Sequence, residues 1–174
     1  MKSGVARRPI EDLAAYAEQL GALFNRSGFV MKPVLERAKA NPLKVAFAEG
    51  EELRVLRAVE AAVQEGICRP IVIGRRSTIL KKIEENYLSI KADGDFELIE
   101  PMNNPYYEAC HRAYHELRGR DGVDPQEAKI HLNTRPTVLA AMLVKLGYAD
   151  TMVCGTVGRY DRHLRRVRSI LGMQ

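Results

Sequence analysis

The sequence contains no tryptophan, few other aromatic residues and only three cysteines. Aromatic side chains make up 6% of the 174 residues and do not alternate with the basic ones, so the stacking surfaces of nucleic-acid-binding proteins are not indicated. An odd number of widely spaced cysteines favours reduced thiols in the cytoplasm over a disulfide framework. No apolar run approaches the roughly 18 residues that a membrane helix needs, and residues 1–30 lack the apolar core of a signal peptide. We therefore predict a cytoplasmic protein with no nucleic-acid partner and no membrane partner.

The overall composition is ordinary for a globular protein. Hydrophobic residues make up 46% of the chain and charged residues 28%, and the net charge is +5 at pH 7. The length allows one domain with a substantial core. The excess of positive charge indicates either an anionic small ligand or a solvated basic face.

Residues 44–74 form the stretch around which we expect the fold to be built. Two short apolar runs, 45–48 and 71–73, flank a segment whose leucines and valines recur at helical spacing, and Gly66 is the stop signal of that helix. Strand, helix and strand predict a right-handed βαβ unit of a parallel sheet. The turn Glu49-Gly50-Glu51 follows the first strand, where open α/β sheets bind their ligands, although neither GxGxxG nor GxxxxGK[ST] is present.

The rest of the chain alternates helices with strands. An arm over residues 1–42 reads as two helices, 10–25 and 34–40, ahead of the first strand. After the βαβ unit we predict a helix capped by Ser77, a strand over 96–99, a helix over 106–120, a short helix with Asp124 as cap and Pro125 at its first position, an apolar helix over 137–146, a strand over 151–154 and an arginine-rich helix over 158–171. The pattern predicts a three-layer α/β/α domain over 43–174 with a mainly parallel sheet.

Several residues are candidates for chemistry, and each has a structural alternative. His111 and His115 lie one helical turn apart, as a metal pair would, but no third ligand is indicated and we predict no metal site. Cys154 at the end of the last strand is either a nucleophile or a buried structural thiol, and the second role is commoner. Three carboxylates surround the first strand-to-helix turn and either favour the positive end of the helix dipole or contact a ligand: Glu49, Glu51 and Glu52.

The stretch Gly155-Thr156-Val157-Gly158-Arg159 leaves a strand and opens a helix, so its amides are candidates for holding an anion. Arg118 near the end of its helix is a weaker candidate of the same kind. The last helix carries further arginines that either bind phosphate bidentately or form a solvated face, namely Arg162, Arg165, Arg166 and Arg168.

Three blocks of the sequence resemble a known family. The segments AEGEELRVLRAVEAAVQEGICRPIVIG, YHELRGRDGV and GYADTMVCG are similar, in this order, to the amino-terminal half of phosphate acetyl/butyryltransferase domains. More narrowly, GVARRPIEDLAAYAEQLGALFNRSGFVMKPVLERA and CGTVGRYDRHLRRVRSILG resemble bacterial two-domain NADP-dependent malic enzymes, in which a transferase-like domain follows the malic enzyme domain. The first of these two segments is similar to the connector between the domains.

The resemblance implies an isocitrate-dehydrogenase-like, phosphotransacetylase-type fold of two subdomains, a domain dimer and an acyl-CoA and phosphate cleft between the subdomains. Two arginines that handle phosphate in the transferases match Arg118 and Arg165. The catalytic Ser and Asp of the transferases lie in the carboxyl-terminal half of the domain, so we predict no catalytic residue in this chain. Arg159 and Tyr160 stand where transferases carry small residues, and Arg166 stands where proline is usual, which argues against transferase activity. The implied ligand-binding residues are Arg118, Arg165, Gly155, Thr156, Arg159, Glu49 and Gly50.

The resemblance therefore predicts a fragment of a malic enzyme that oxidises malate to pyruvate with NADP and a divalent metal, Mg or Mn. The part in hand would be the first subdomain of its regulatory domain, which carries no cofactor of its own, binds acetyl-CoA as an effector and helps to hold a homo-oligomer together with the rest of the enzyme chain. Two alternatives remain. One is a trimmed but genuine phosphate acetyltransferase, which makes acetyl phosphate and CoA from acetyl-CoA and phosphate, and the other is a dimerisation module without a ligand.

Overall fold

The computed structural model describes residues 12–16 and 28–172 of the chain. Residues 13–16 form one helical turn, and Oδ1 of Asp12 accepts hydrogen bonds from the amides of Ala14 and Ala15 at 2.9 and 3.0 Å. Most of the helix predicted over 10–25 lies outside the described residues. Helix α1 (Gly28–Ala40) starts earlier than the predicted residue 34 and contains Pro33, and it ends before Asn41-Pro42 as predicted. The boundary between arm and domain stays a prediction.

The remaining elements alternate as the sequence predicted. In chain order they are β1 (Leu43–Phe47), α2 (Leu53–Glu65), β2 (Cys68–Ile73), α3 (Arg76–Glu85), β3 (Glu97–Ile99), α4 (Tyr107–Arg118), a 3₁₀ turn (Gly119–Asp121), α5 (Pro125–Thr134), α6 (Pro136–Lys145), β4 (Thr151–Val153) and α7 (Tyr160–Leu171). Among the described residues four strands form one parallel sheet in the order β3-β2-β1-β4. In that part of the chain no helix has the length and hydropathy needed to cross a bilayer.

Successive strand residues point to opposite faces of the sheet and so build two separate cores. Ala46, Ile71 and Ile73 pack with the helices α4 to α7, whereas Phe47 and Val72 pack with α2 and α3. Helix α6 is buried from Thr137 to Leu143, which explains why its sequence is apolar on every face. The predicted three-layer α/β/α class with a mainly parallel sheet is confirmed.

Helix termini differ from the predictions where tertiary contacts determine them. Ser77 is not the cap of α3, which begins at Arg76 because carboxylates from neighbouring loops bind its first amides: Oε1 of Glu51 accepts from the amide of Arg75 and Oε1 of Glu100 from that of Arg76, both at 2.9 Å. Helix α7 begins two residues later than predicted, because Gly158 has a φ of 96°, which a helix does not allow.

Two helix signals were read correctly. Asp124 caps α5 by accepting a hydrogen bond from the amide of Glu127 at 2.7 Å, and Pro125 occupies the first helical position. Gly66 ends α2 in the left-handed conformation, with a φ of 65°.

Candidate functional site

All four strands are parallel, but the chain adds them on both sides of β1, so the strand order has a reversal point between β1 and β4. Strands β2 and β3 extend the sheet on one side of β1, and β4 lies on the other side. Loops that leave the carboxyl ends of β1 and β4 therefore diverge and leave a crevice, the position at which open α/β sheets bind ligands. A cleft of about 430 Å³ lies there, and its walls include residues of the β1–α2 turn, the start of α6 and the start of α7.

Glu49 lines the cleft and connects two of the turns around it. Its carboxylate accepts the amide of Gly155 at 3.0 Å through Oε1 and at 3.1 Å through Oε2, so the turn after β1 is tied to the turn after β4. The side chain is only 11% exposed. Of the predicted ligand residues, Glu49 and Gly155 are thus bonded to each other, and Glu49 also lines the cleft.

His163 fixes the opposite end of the β4–α7 turn. Its Nε2 donates to the carbonyl oxygen of Val157 at 2.7 Å, so in the neutral ring Nδ1 is an acceptor, and the hydroxyl of Thr137 donates to it at 2.8 Å. The carboxylate of Glu49 lies 3.6 Å from the same Nδ1. Sequence analysis missed both His163 and Thr137, since nothing in their local spacing shows that the starts of α6 and α7 meet at the cleft.

Gly50 has a structural reason to be glycine. A Cβ at this position would lie 2.3 Å from Cγ1 of Val72 and 2.7 Å from the carbonyl oxygen of Ile73, and the amide of Gly50 donates to that same oxygen at 3.0 Å. The residue lines the cleft, as expected of a ligand-binding position, but its close packing on β2 accounts for the missing side chain.

Glu51 and Arg75 form an ion pair at the rim of the cleft. The Nε and Nη2 atoms of Arg75 donate to the two carboxylate oxygens at 2.8 Å each. These hydrogen bonds lower the pKa of Glu51, against a smaller opposing effect of burial. Glu52 is the N-cap residue of α2 but makes no side-chain cap bond.

Arginines line the α7 side of the cleft. The lining residues Arg159, Arg162 and Arg166 come from the start of that helix. Burial lowers the pKa of Arg166, and the nearby charges of Arg135 and Arg162 lower it further. This side of the cleft therefore has a positive potential.

Two of the predicted phosphate-binding arginines lie elsewhere. Arg165 is 74% exposed and donates to the carboxylate of Asp161 at 3.0 Å, and it is not among the cleft-lining residues. Arg118 pairs with Asp121 at 3.3 Å, its Nε is buried without a partner, and it does not line the cleft either. Thr156 and Arg168 are likewise outside the lining.

The remaining candidates have structural surroundings. Burial and the nearby carboxylate of Glu49 raise the pKa of Cys154, which opposes formation of a nucleophilic thiolate. Nε2 of His111 donates to the carbonyl oxygen of Pro125 at 2.8 Å, and its ring stacks on that of Tyr107. In the described ranges no three residues of the types His, Cys, Asp and Glu come together as metal ligands.

Comparison with known proteins agrees with the resemblance of the sequence blocks. Residues 29–174 match the family described as phosphate acetyl/butaryl transferase. The chain is 41% identical to an NADP-dependent malic enzyme of Haemophilus influenzae over 100% of its own length and 23% of that protein, and 46% identical to an NAD-dependent malic enzyme of Rhizobium meliloti over 98% and 22%. A phosphate acetyltransferase of Nitratidesulfovibrio vulgaris is 30% identical over 86% of the chain and 22% of its own length. The chain thus spans less than a quarter of these relatives.

Solved structures show the same fold. The EutD phosphotransacetylase from Staphylococcus aureus superposes with a TM-score of 0.72 at 24% identity, over 83% of this chain and 43% of that one. A phosphotransacetylase from Streptococcus pyogenes gives 0.71 at 25% identity, over 81% and 42%. Matched over most of its length in sequence and in fold, the chain belongs to the phosphate acetyl/butaryl transferase family.

Proposed function

We propose that this chain is the first part of the transferase-like domain of a two-domain, cytoplasmic, NADP-dependent malic enzyme, and that its cleft binds acetyl-CoA as a regulatory ligand. The observation that carries the proposal is the cleft at the β1–β4 reversal, with Arg159, Arg162 and Arg166 along one wall. Cationic side chains in such a crevice suit the phosphates of an acyl-CoA. The higher identity to malic enzymes than to a phosphate acetyltransferase supports the choice of parent protein.

In this proposal the chain regulates and does not catalyse. Acetyl-CoA inhibits malate oxidation by binding one state of the assembly more tightly than the other. The metal (Mg or Mn) and NADP of the parent enzyme are assigned in this proposal to its malic enzyme domain. Arg118 and Arg165 remain proposed contacts to phosphate, reached from outside the cleft, with Thr156 supplying an amide. The amide of Gly155 donates to Glu49, so in this proposal Gly155 shapes the turn and does not donate to the ligand.

Calorimetric titration of acetyl-CoA into the 174-residue chain tests the proposal first. Micromolar binding would support it. In the complete enzyme, Arg118→Ala and Arg165→Ala should weaken inhibition by acetyl-CoA, whereas Arg112→Ala, an exposed arginine of the same helix as Arg118, should not. Inhibition that is unchanged in both variants would remove Arg118 and Arg165 from the site.

A genuine phosphate acetyltransferase is the second candidate, favoured by the superposition on two phosphotransacetylases. The assay that separates the two is acetyl-CoA formation from acetyl phosphate and CoA by the complete protein. Turnover would establish the transferase, and absence of turnover together with acetyl-CoA-dependent inhibition of malate oxidation would establish the regulatory domain.

The homo-oligomer is also a proposal. Strand β4 lies at the edge of the sheet, and apolar side chains near it are exposed: Val153 at 50%, Val157 at 48% and Tyr160 at 76%. Apolar patches beside an open strand edge favour association with another polypeptide. Sedimentation equilibrium over a concentration series would show whether the chain dimerises.

A further inference from the structure

Two arginines line one side of the cleft, and a third lies close to them. Arg162 and Arg166 lie one turn apart on α7 and both line the cleft. Arg135 is not a lining residue itself, but it immediately precedes the lining residue Pro136 at the start of α6, and its charge acts on Arg166. Arg162 is exposed and the other two are partly buried.

Among the described residues, these three arginines differ from the nearby Arg75, Arg159 and Arg165 in having no acidic partner, a property that they share with the exposed Arg168. Arg75 pairs with Glu51, and both Arg159 and Arg165 pair with Asp161. Within the part of the chain that the structure describes, none of Arg135, Arg162 and Arg166 forms an ion pair. Burial lowers the pKa of Arg166, and the positive charges of Arg135 and Arg162 lower it further, so each of these two charges lies near enough to Arg166 to repel it. An anion that binds between the guanidinium groups offsets this repulsion, because its negative charge attracts all of them.

We propose that Arg135, Arg162 and Arg166 form a binding site for a doubly charged phosphate group, either inorganic or carried as an ester by an organic molecule. The inference rests on the proposed function, for which it names the subsite that receives phosphate. Guanidinium groups donate bidentately to phosphate oxygens, and three of them suit a group with several acceptor oxygens. The β1–α2 turn carries the carboxylates of Glu49 and Glu52, which also line the cleft and repel phosphate. The phosphate therefore binds on the α6–α7 side, and hydrogen-bond donors of the ligand face the β1–α2 turn.

Titration of the 174-residue chain with inorganic pyrophosphate, adenosine 3′,5′-bisphosphate and acetyl-CoA tests this subsite. Arg135→Gln, Arg162→Gln and Arg166→Gln should each weaken pyrophosphate or bisphosphate binding by about tenfold to a hundredfold, as loss of a charged hydrogen bond does. Arg166→Lys keeps the charge but not the bidentate geometry and should fall between wild type and Arg166→Gln. The matched control is Arg168→Gln, an exposed arginine of the same helix outside the cleft, which should change binding by less than about twofold.

The outcomes separate this inference from the proposed function. Arginine-dependent binding of pyrophosphate or bisphosphate without any binding of acetyl-CoA supports the subsite and contradicts the effector. Acetyl-CoA binding that is equal in wild type and all three variants overturns the subsite and leaves the effector in place. No binding of any probe also overturns the subsite.

Tighter binding of the bisphosphate than of pyrophosphate identifies an organic ester as the source of the phosphate, and the reverse identifies an inorganic anion. Because Arg162 is exposed, Arg162→Gln should fold normally, and equal thermal unfolding of the variants excludes a trivial loss.

Discussion

Glu49 connects the turns after two neighbouring strands through one carboxylate. Because both of its oxygens accept the Gly155 amide, its removal breaks a hydrogen bond to a charged group, but Gly155 is exposed and water can reach the freed amide. Glu49→Ala should therefore lower the free energy of unfolding by about 0.5–1.5 kcal/mol, measured by urea denaturation. Glu49→Gln keeps an acceptor oxygen and should lose less. The control is Glu52→Ala, whose side chain makes no cap bond and whose loss should cost under about 0.5 kcal/mol. A Glu49→Ala variant as stable as wild type would contradict this role.

His131 makes the stability of the fold depend on pH. Burial, followed by the charge of Arg135, lowers its pKa from the ordinary 6.5, and its Nδ1 lies 3.0 Å from the hydroxyl of Tyr114, which donates to the neutral ring. As the pH falls below 6.5, the unfolded chain takes up a proton at this histidine before the folded chain does. This contribution to stability is therefore complete above that pH and is lost on acidification, with a slope of at most about 1.4 kcal/mol per pH unit.

Urea unfolding over a pH series measures this slope. In His131→Gln the slope attributable to this residue should disappear, although overall stability falls because Tyr114 loses its partner. The histidine His115, which is not fully buried, serves as control, and His115→Gln should retain the wild-type slope. An unchanged slope in His131→Gln would assign the pH dependence to other groups.

Some residues of the site can be predicted from their place in the sequence, whereas others reach it only through the packing of helices. Glu49, Gly50 and Gly155 were predicted because they follow strands, and a strand end is visible in the sequence; Glu49 and Gly50 line the cleft, and Gly155 bonds to Glu49. Thr137 and His163 were missed because they reach the cleft only through the packing of α6 on α7. Arg118 and Arg165 were candidates from their positions on helices and then from the resemblance, and the fold places neither in the cleft lining.

At the scale of the elements, helices were easier to predict than their first residues. Periodic apolar side chains determine where a helix lies, but α3 begins where carboxylates of other loops bind its free amides. Asp124 was predicted correctly because that cap is local to its own helix. Contacts between elements, and not propensity, therefore decide the βα turns that surround the cleft.

The β1–α2 turn depends on the absence of a side chain at Gly50. A methyl group there would approach Cγ1 of Val72 and the carbonyl oxygen of Ile73, and the second of these is backbone that cannot rotate away. Gly50→Ala should lower the free energy of unfolding by about 1–3 kcal/mol through overpacking, measured by chemical denaturation. Gly94→Ala is the matched control, since its nearest contact is an ordinary 3.7 Å, and it should change stability by less than about 0.5 kcal/mol. Equal stability of the two variants would show that β1 and β2 separate easily at this turn.

At the scale of the whole molecule, alternation of strands and helices was enough to predict the layers but not the strand order. The sequence marks each strand, yet the placement of β4 beside β1 follows from long-range pairing such as Ala46 with Met152. That placement creates the reversal at which the cleft lies. The class of fold could therefore be read from local pattern, whereas the position of the site required the assembled sheet.

The two cores on either side of the sheet should unfold together. Leu56 on α2 and Leu139 on α6 are both 0% exposed and belong to different cores, which the strands β1 and β2 separate. Replacing either by alanine should cost about 2–5 kcal/mol, and the double variant should lose the sum to within about 0.5 kcal/mol. Because alternate residues of the same strands supply both cores, loss of either one removes support from the whole sheet, and each variant should still unfold in a single transition.

Urea unfolding followed in parallel by circular dichroism and by tyrosine fluorescence, the chain having no tryptophan, measures both quantities. Leu80→Ala, at a position 40% exposed, is the control and should cost under about 1 kcal/mol. Two separate transitions, or fluorescence and dichroism midpoints that diverge in only one of the leucine variants, would mean that one face of the sheet melts without the other. In that case the cleft, whose walls come from the turn before α2 and the starts of α6 and α7, would lose its shape before the chain unfolds.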